Sequence, residues 1–142
     1  MTPTKFPSAQ DIHDAYLTIS PHIIKTPLIA SPHLSDYFGT ELCLKLETMQ
    51  YTSSFKTRGA TLAINALGED ERNRGVVTMS AGNHGQALAY CATQAGITST
   101  IVMPEQTPFA KIARTQMFGC NISQKGRTLD ECQAEVNRLI AQ

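Results

Sequence analysis

The chain has 142 residues, with 12 basic and 12 acidic side chains and a formal net charge of zero. That length is the natural size of one domain with its own core, and the charge balance excludes a basic nucleic-acid footprint and an acidic tail. No apolar run is long enough to span a bilayer, and the first ten residues lack the apolar stretch of a signal peptide.

Residues 8–19 read as a helix, with Ser8 and Asp11 spaced as a capping box and Ile12, Ala15, Tyr16 and Ile19 on one face. Pro21 ends it, and residues 23–29 are extended, with Thr26 held out of the helical region by Pro27. Residues 31–38 form a short helix, Pro32 in its first turn and Gly39 past its end. Residues 41–47 alternate, with Leu42, Leu44 and Leu46 on the inner face of a half-buried strand. A helix over 54–67 is expected to bury Phe55, Leu62, Ala63, Ala66 and Leu67. Glu69, Asp70 and Glu71 mark a turn or helix start.

The second half is more regular. Residues 75–80 form a short buried strand, and 83–95 a helix with Ala87, Leu88, Cys91, Ala92 and Ala95 inward. A strand follows at 98–103, then a helix at 108–118 with Phe109, Ile112, Ala113 and Met117 inward, then a strand at 120–124. Thr128 and Glu131 form a capping box for a last helix with Leu129, Cys132, Val136, Leu139 and Ile140 on its stripe. Strands alternating with helices predict an α/β fold, a parallel sheet with helices on both faces. Ligands in such sheets sit where strands end and helices begin, which singles out residues 52–56, 80–86 and 104–108.

Two of these junctions carry chemistry. In Thr52-Ser53-Ser54-Phe55-Lys56 a lysine enters the first turn of a helix capped by Ser53 or Ser54. The positive helix end disfavours an ammonium there, and a neutral amine is what a Schiff base requires. A solvated surface lysine is the plainer alternative. In Ser80-Ala81-Gly82-Asn83-His84-Gly85-Gln86 two glycines and a run of free amides make a nest for an anion. The alternative is a plain strand-to-helix turn in which Ser80 or Asn83 is only a cap. The loop is neither a P-loop nor GxGxxG, so a plain nucleotide-binding domain is the weakest reading. His84 has no second ligand at metal spacing, so no metal is expected. The four cysteines show no CxxC pair, which fits reduced thiols in a cytoplasmic protein.

Residues 52–60, residues 80–86, the Ile101-Val102-Met103-Pro104 strand end and the last helix together resemble the front half of a threonine dehydratase. More broadly the chain resembles the fold-type II enzymes that use pyridoxal phosphate, the group of serine racemase and serine dehydratase. The resemblance implies a start of a large domain over residues 1–70 and most of a small α/β domain over 71–142. It implies that Lys56 holds pyridoxal phosphate as an internal aldimine and later shuttles the α-proton. Phe55 would pack beside the pyridine ring, and Asn83 would bond its phenolic oxygen. Ser80, Ala81, Gly82, Asn83 and His84 would grip the carboxylate of a small amino-acid substrate. The implied reaction is loss of the α-proton and β-elimination of the hydroxyl of threonine or serine, giving an aminoacrylate-type product that hydrolyses to a 2-oxo acid and ammonia. Ala81 stands where racemases of this family have a serine base, which favours dehydration over racemisation. Ser53 stands where the family usually has glycine.

The family's glycine-rich phosphate loop lies further downstream, and no four-glycine run occurs here. The resemblance therefore implies a truncated chain with a weak hold on its cofactor. It also raises an alternative, a catalytically inactive relative that associates with itself or with a complementary half. No nucleic acid and no membrane enter either reading.

Overall fold

The computed structural model describes residues 6–141; residues 1–5 and 142, counted in the two expected domains, lie outside it. Helix α1 (Ala9–Ile19) starts as its sequence dictates. Ser8 Oγ accepts from the Asp11 amide at 3.2 Å, and Asp11 Oδ2 accepts from the Ser8 amide at 2.7 Å. A single 3-10 turn at Ser20–His22 follows. The predicted stripe is not buried, however: only Ile19 is, while Ile12 is 60% exposed. An amphipathic pattern marks an apolar side but cannot say whether anything covers it.

Strand β1 (Leu28–Ala30), helix α2 (Pro32–Phe38) and strand β2 (Cys43–Lys45) form a small unit. The strands pair antiparallel, with Ile29 opposite Leu44. Gly39 closes α2 at φ 65°, a left-handed C-terminal cap suited to glycine. The expected half-buried strand over 41–47 is shorter and exposed, because this ribbon has two strands and no described layer against it.

Helix α3 (Lys56–Asn65) is followed by α4 (Glu69–Arg74), whose acidic start the sequence reading left as a turn or a helix start. Three acids in its first turn and Arg72 and Arg74 in its last suit the helix dipole, but six polar residues leave no stripe to detect. The inner face of α3 also differs from expectation. Thr57, Ala60, Thr61 and Ile64 are buried, while Phe55 is 60% and Leu62 37% exposed. Small hydroxyl residues allow α3 to lie close against α5, so the polar positions, not the large apolar ones, face inward.

The parallel sheet runs β3 (Val76–Met79), β4 (Ser99–Met103), β5 (Asn121–Gln124), in that order. Met79 pairs with Val102, and Met103 with Gln124. Helix α5 (Asn83–Gln94) links β3 to β4, and α6 (Phe109–Gln116) links β4 to β5. Side chains alternate along β4. Ile101 and Met103 join the larger core with Ala60, Ile64, Ala87, Leu88 and Ile112, whereas Val102 packs with Cys132 and Val136 of α7 (Leu129–Ile140) on the other face. Helices thus cover both faces, as predicted. Strand β3 is half-buried where a buried strand was expected, because it lies at the sheet edge. Phe109 and Met117 of α6 and Leu129 and Ile140 of α7, all expected inward, are at least 68% exposed. Thr128 caps α7 through the Glu131 amide, but the Glu131 carboxylate accepts from Arg127, one residue beyond the expected capping box. Among the described residues no helix is long and apolar enough to cross a membrane.

Candidate functional site

The turn before α3 alternates buried and exposed residues. Thr52, Ser54 and Thr57 are buried, and Ser53, Phe55 and Lys56 are exposed. Neither serine caps the helix, in contrast to the sequence reading. Phe55 holds the N-cap position with no side-chain bond, the Ser54 hydroxyl lies inward, and Ser53 sits at φ 55°. A serine in the left-handed region carries strain of about 1–2 kcal/mol that glycine does not. The Ser53 amide donates to the Gln50 carbonyl at 2.8 Å, which holds it there. Gln50 is itself fixed to both backbone groups of Ile24 at 3.0 Å.

Lys56 is the first residue of α3, and its ammonium stands 5.1 Å from the centre of the Phe55 ring. Among the described residues no carboxylate pairs with it. The nearby arginine is committed elsewhere: Arg58 grips Glu47 through two bonds of 2.7 and 2.9 Å, and Thr26 adds a third at 2.6 Å. The Arg58 guanidinium holds the Glu47 carboxyl below its usual range.

The second junction leaves β3 at Met79. Ser80 Oγ accepts from the Gly82 amide at 3.2 Å and the Gly85 amide at 3.0 Å, folding the loop back over its own hydroxyl. Gly85 is required by packing, because a Cβ there would lie 2.9 Å from the Ser80 carbonyl and 3.0 Å from Ile101. Gly82 faces open space, and Asn83 and His84 are exposed at the start of α5. The Gln86 carbonyl oxygen is buried without a partner. Partial desolvation of the otherwise exposed His84 ring, and after it the charge of Lys56, push its imidazole below its ordinary value.

The helices behind both junctions are joined. Thr61 donates to the Thr57 carbonyl at 2.8 Å and lies 3.4 Å from Cys91 Sγ. Burial raises the Cys91 thiol above its usual value. Tyr51 stacks on Tyr90 of α5 at 5.3 Å, so its role is packing between these elements. The third junction behaves differently: the Glu105 amide donates to Gly126 and the Thr107 amide to Pro104, so it turns back on its own chain. The sequence reading missed the buried hydroxyls at Thr52, Ser54 and Thr57; their only signal was an unusual run of four hydroxyl residues around one lysine.

Chemically, the arrangement offers an amine with no carboxylate partner among the described residues and, at the start of α5, a helix N-terminus with an open glycine. The chain is 42% identical over 135 residues to a putative threonine dehydratase of Sinorhizobium fredii, covering 95% of this chain and 41% of that protein. It is 42% identical over 133 residues to the catabolic L-threonine dehydratase of Staphylococcus aureus, covering 93% of this chain and 38% of that one. The crystal structure of serine racemase from Dictyostelium discoideum superposes with a TM-score of 0.86 at 38% identity, over 94% of this chain and 43% of that one. The chain therefore spans about two fifths of the length of these relatives, and its α/β fold is that of the front part of fold-type II enzymes. The family profile described as pyridoxal-phosphate dependent enzyme matches residues 19–142, and the chain belongs to that family.

Proposed function

We propose that this chain carries the lysine and the carboxylate-binding loop of a dehydratase acting on threonine or serine and releasing a 2-oxo acid and ammonia. The observation that supports the reading best is that Lys56, with no carboxylate partner among the described residues, starts α3 while the open Ser80–His84 loop starts α5, two helices packed on one another. The residues present fit pyridoxal phosphate. Lys56 supplies the amine for its aldehyde, the exposed Phe55 ring beside that amine supplies an apolar edge, and Asn83 supplies a donor for its phenolic oxygen. When bound, the cofactor supplies the electron sink that makes an amino acid's α-proton acidic.

The chain's own residues do the remaining work. Ser80 holds the loop in shape, since its hydroxyl takes the Gly82 and Gly85 amides. The first-turn amides of α5 receive the substrate carboxylate, with Gly82 leaving room for its approach. His84, whose imidazole is pushed toward its neutral form, donates or accepts a hydrogen bond there. Lys56 Nζ takes the α-proton, and that proton leaves with the β-hydroxyl as water. Ala81 has no side-chain proton to deliver, which favours elimination over racemisation. The division into a large-domain start over 1–70 and a small domain over 71–142 belongs to the same proposal. Incubation with pyridoxal phosphate and L-threonine or L-serine tests it. Release of 2-oxo acid that is lost in Lys56→Ala is expected; release that survives this substitution contradicts the assignment.

One observation favours a second reading, a self-associating module. Leu28 is 65%, Tyr37 81% and Phe38 62% exposed on one small unit, more apolar surface than an isolated fold usually leaves open. Light scattering that gives a mass above the 15.5 kDa monomer is expected on this reading, and a monomer at all concentrations contradicts it.

A further inference from the structure

The buried hydroxyls behind Lys56 form a compact circuit of polar contacts. Thr57 Oγ1 and Thr52 Oγ1 share a hydrogen bond of 2.7 Å in which either hydroxyl can donate. Thr57 Oγ1 also lies 3.3 Å from the Ser54 backbone carbonyl, and Ser54 Oγ stands 3.5 Å from Thr52 Oγ1. Thr57 is 0%, Thr52 2% and Ser54 6% exposed. The circuit spans the very residues between which Ser53, Phe55 and Lys56 are turned outward. Thr57 is also tied to α5, because its carbonyl accepts from Cys91 Sγ at 3.8 Å.

We infer that Thr57 is a positioning residue for Lys56: its buried hydroxyl locks the turn that aims the amine at the Ser80–His84 loop. The inference rests on the proposed role of Lys56. It goes further in naming the groups that hold the lysine. An aliphatic side chain at position 57 keeps the volume and removes the lock, so the turn loses its fixed shape while the helix packing survives. His84 of α5 senses the charge of Lys56, and Arg58, on the same helix, is engaged by Glu47.

Two readouts on the full chain test this. The first is the pyridoxal phosphate concentration that half-saturates borohydride-fixed labelling of Lys56. Thr57→Val and Thr52→Val are expected to raise it roughly tenfold or more, as misplacement of a reacting group does. Thr57→Ser, which restores the hydroxyl, and Thr61→Val, which lies outside the circuit, are expected to match the parent chain. The second is the rate of acylation of Lys56 by a small amine-reactive reagent at one fixed pH, referenced to the exposed Lys111 and requiring no cofactor. That relative rate is expected to change in Thr57→Val and return in Thr57→Ser. If both valine variants keep the parent rate, the positioning role is overturned, whatever the cofactor does. If the rate changes with Thr57 while the parent chain takes up no pyridoxal phosphate, the positioning role stands and the cofactor reading fails. Circular dichroism confirms that each variant is folded, and Thr52→Val carries the test if Thr57→Val is not.

Discussion

Ser53 shows what a single residue can and cannot reveal in advance. Its identity was readable as unusual in a family that places glycine there, but its φ of 55° was not, because left-handed backbone is set by the turn around it. Ser53→Gly removes the strain and adds some flexibility to the unfolded chain. The net expectation is a gain of about 0.5–1 kcal/mol, read as a higher urea midpoint. A lower midpoint would mean that the serine hydroxyl contributes more than the strain costs. Lys56 and Asn83 were legible because lysine in a first turn and asparagine after a glycine are chemically pointed choices. Thr57 was not legible, since a threonine at the start of a helix is ordinary until its burial is known.

At the scale of elements, strand and helix identities came through well, because β4 and α5 have dense, regular apolar patterns. Faces came through poorly. The inner side of α3 is Thr57, Ala60, Thr61 and Ile64, and no hydropathy pattern would choose two threonines over Phe55 and Leu62. The start of α4 showed in its acids, but its extent did not, for want of any apolar residue. The start of α5 yields a sharper test. Gly85→Ala forces a Cβ to within 2.9 Å of the Ser80 carbonyl, so it is expected to cost about 1–3 kcal/mol and to loosen the loop. Gly82→Ala meets nothing within 4 Å and is expected to leave the urea midpoint nearly unchanged. Equal midpoints for the two variants would mean that the loop does not press on Ile101.

Ion pairs within and between elements give the fold its acid limit. The Glu47 carboxyl lies below its ordinary 4.5 beside Arg58, and Glu135 is drawn down to about 2 by Arg138 and then Lys125. A carboxyl depressed on folding stabilises the chain fully above its unfolded value and loses that contribution as pH falls toward its folded value. Stability is therefore expected to fall from pH 4.5 downward, with the Glu135 share lost between 4.5 and about 2. Glu47→Gln is expected to cost about 1–2 kcal/mol at pH 7 and to flatten the upper part of that decline. A decline identical to that of the parent chain would show that the Arg58 pair contributes nothing.

For the molecule as a whole, the order of elements carried the architecture. Short apolar strands alternating with helices required a parallel sheet covered on both sides, and β3-β4-β5 between α5 and α7 is that sheet. The alternation could not show which surfaces stay open, and β1, α2 and β2 are the clearest case. The proposed site requires one amine to face one loop, and a direct measurement addresses it. The chain is mixed with pyridoxal phosphate, reduced with borohydride, digested, and its lysines are mapped by mass. The account expects the label to concentrate on Lys56 and its yield to fall when Asn83 is changed to alanine. Label spread evenly over the exposed lysines, or unchanged by Asn83→Ala, would contradict it.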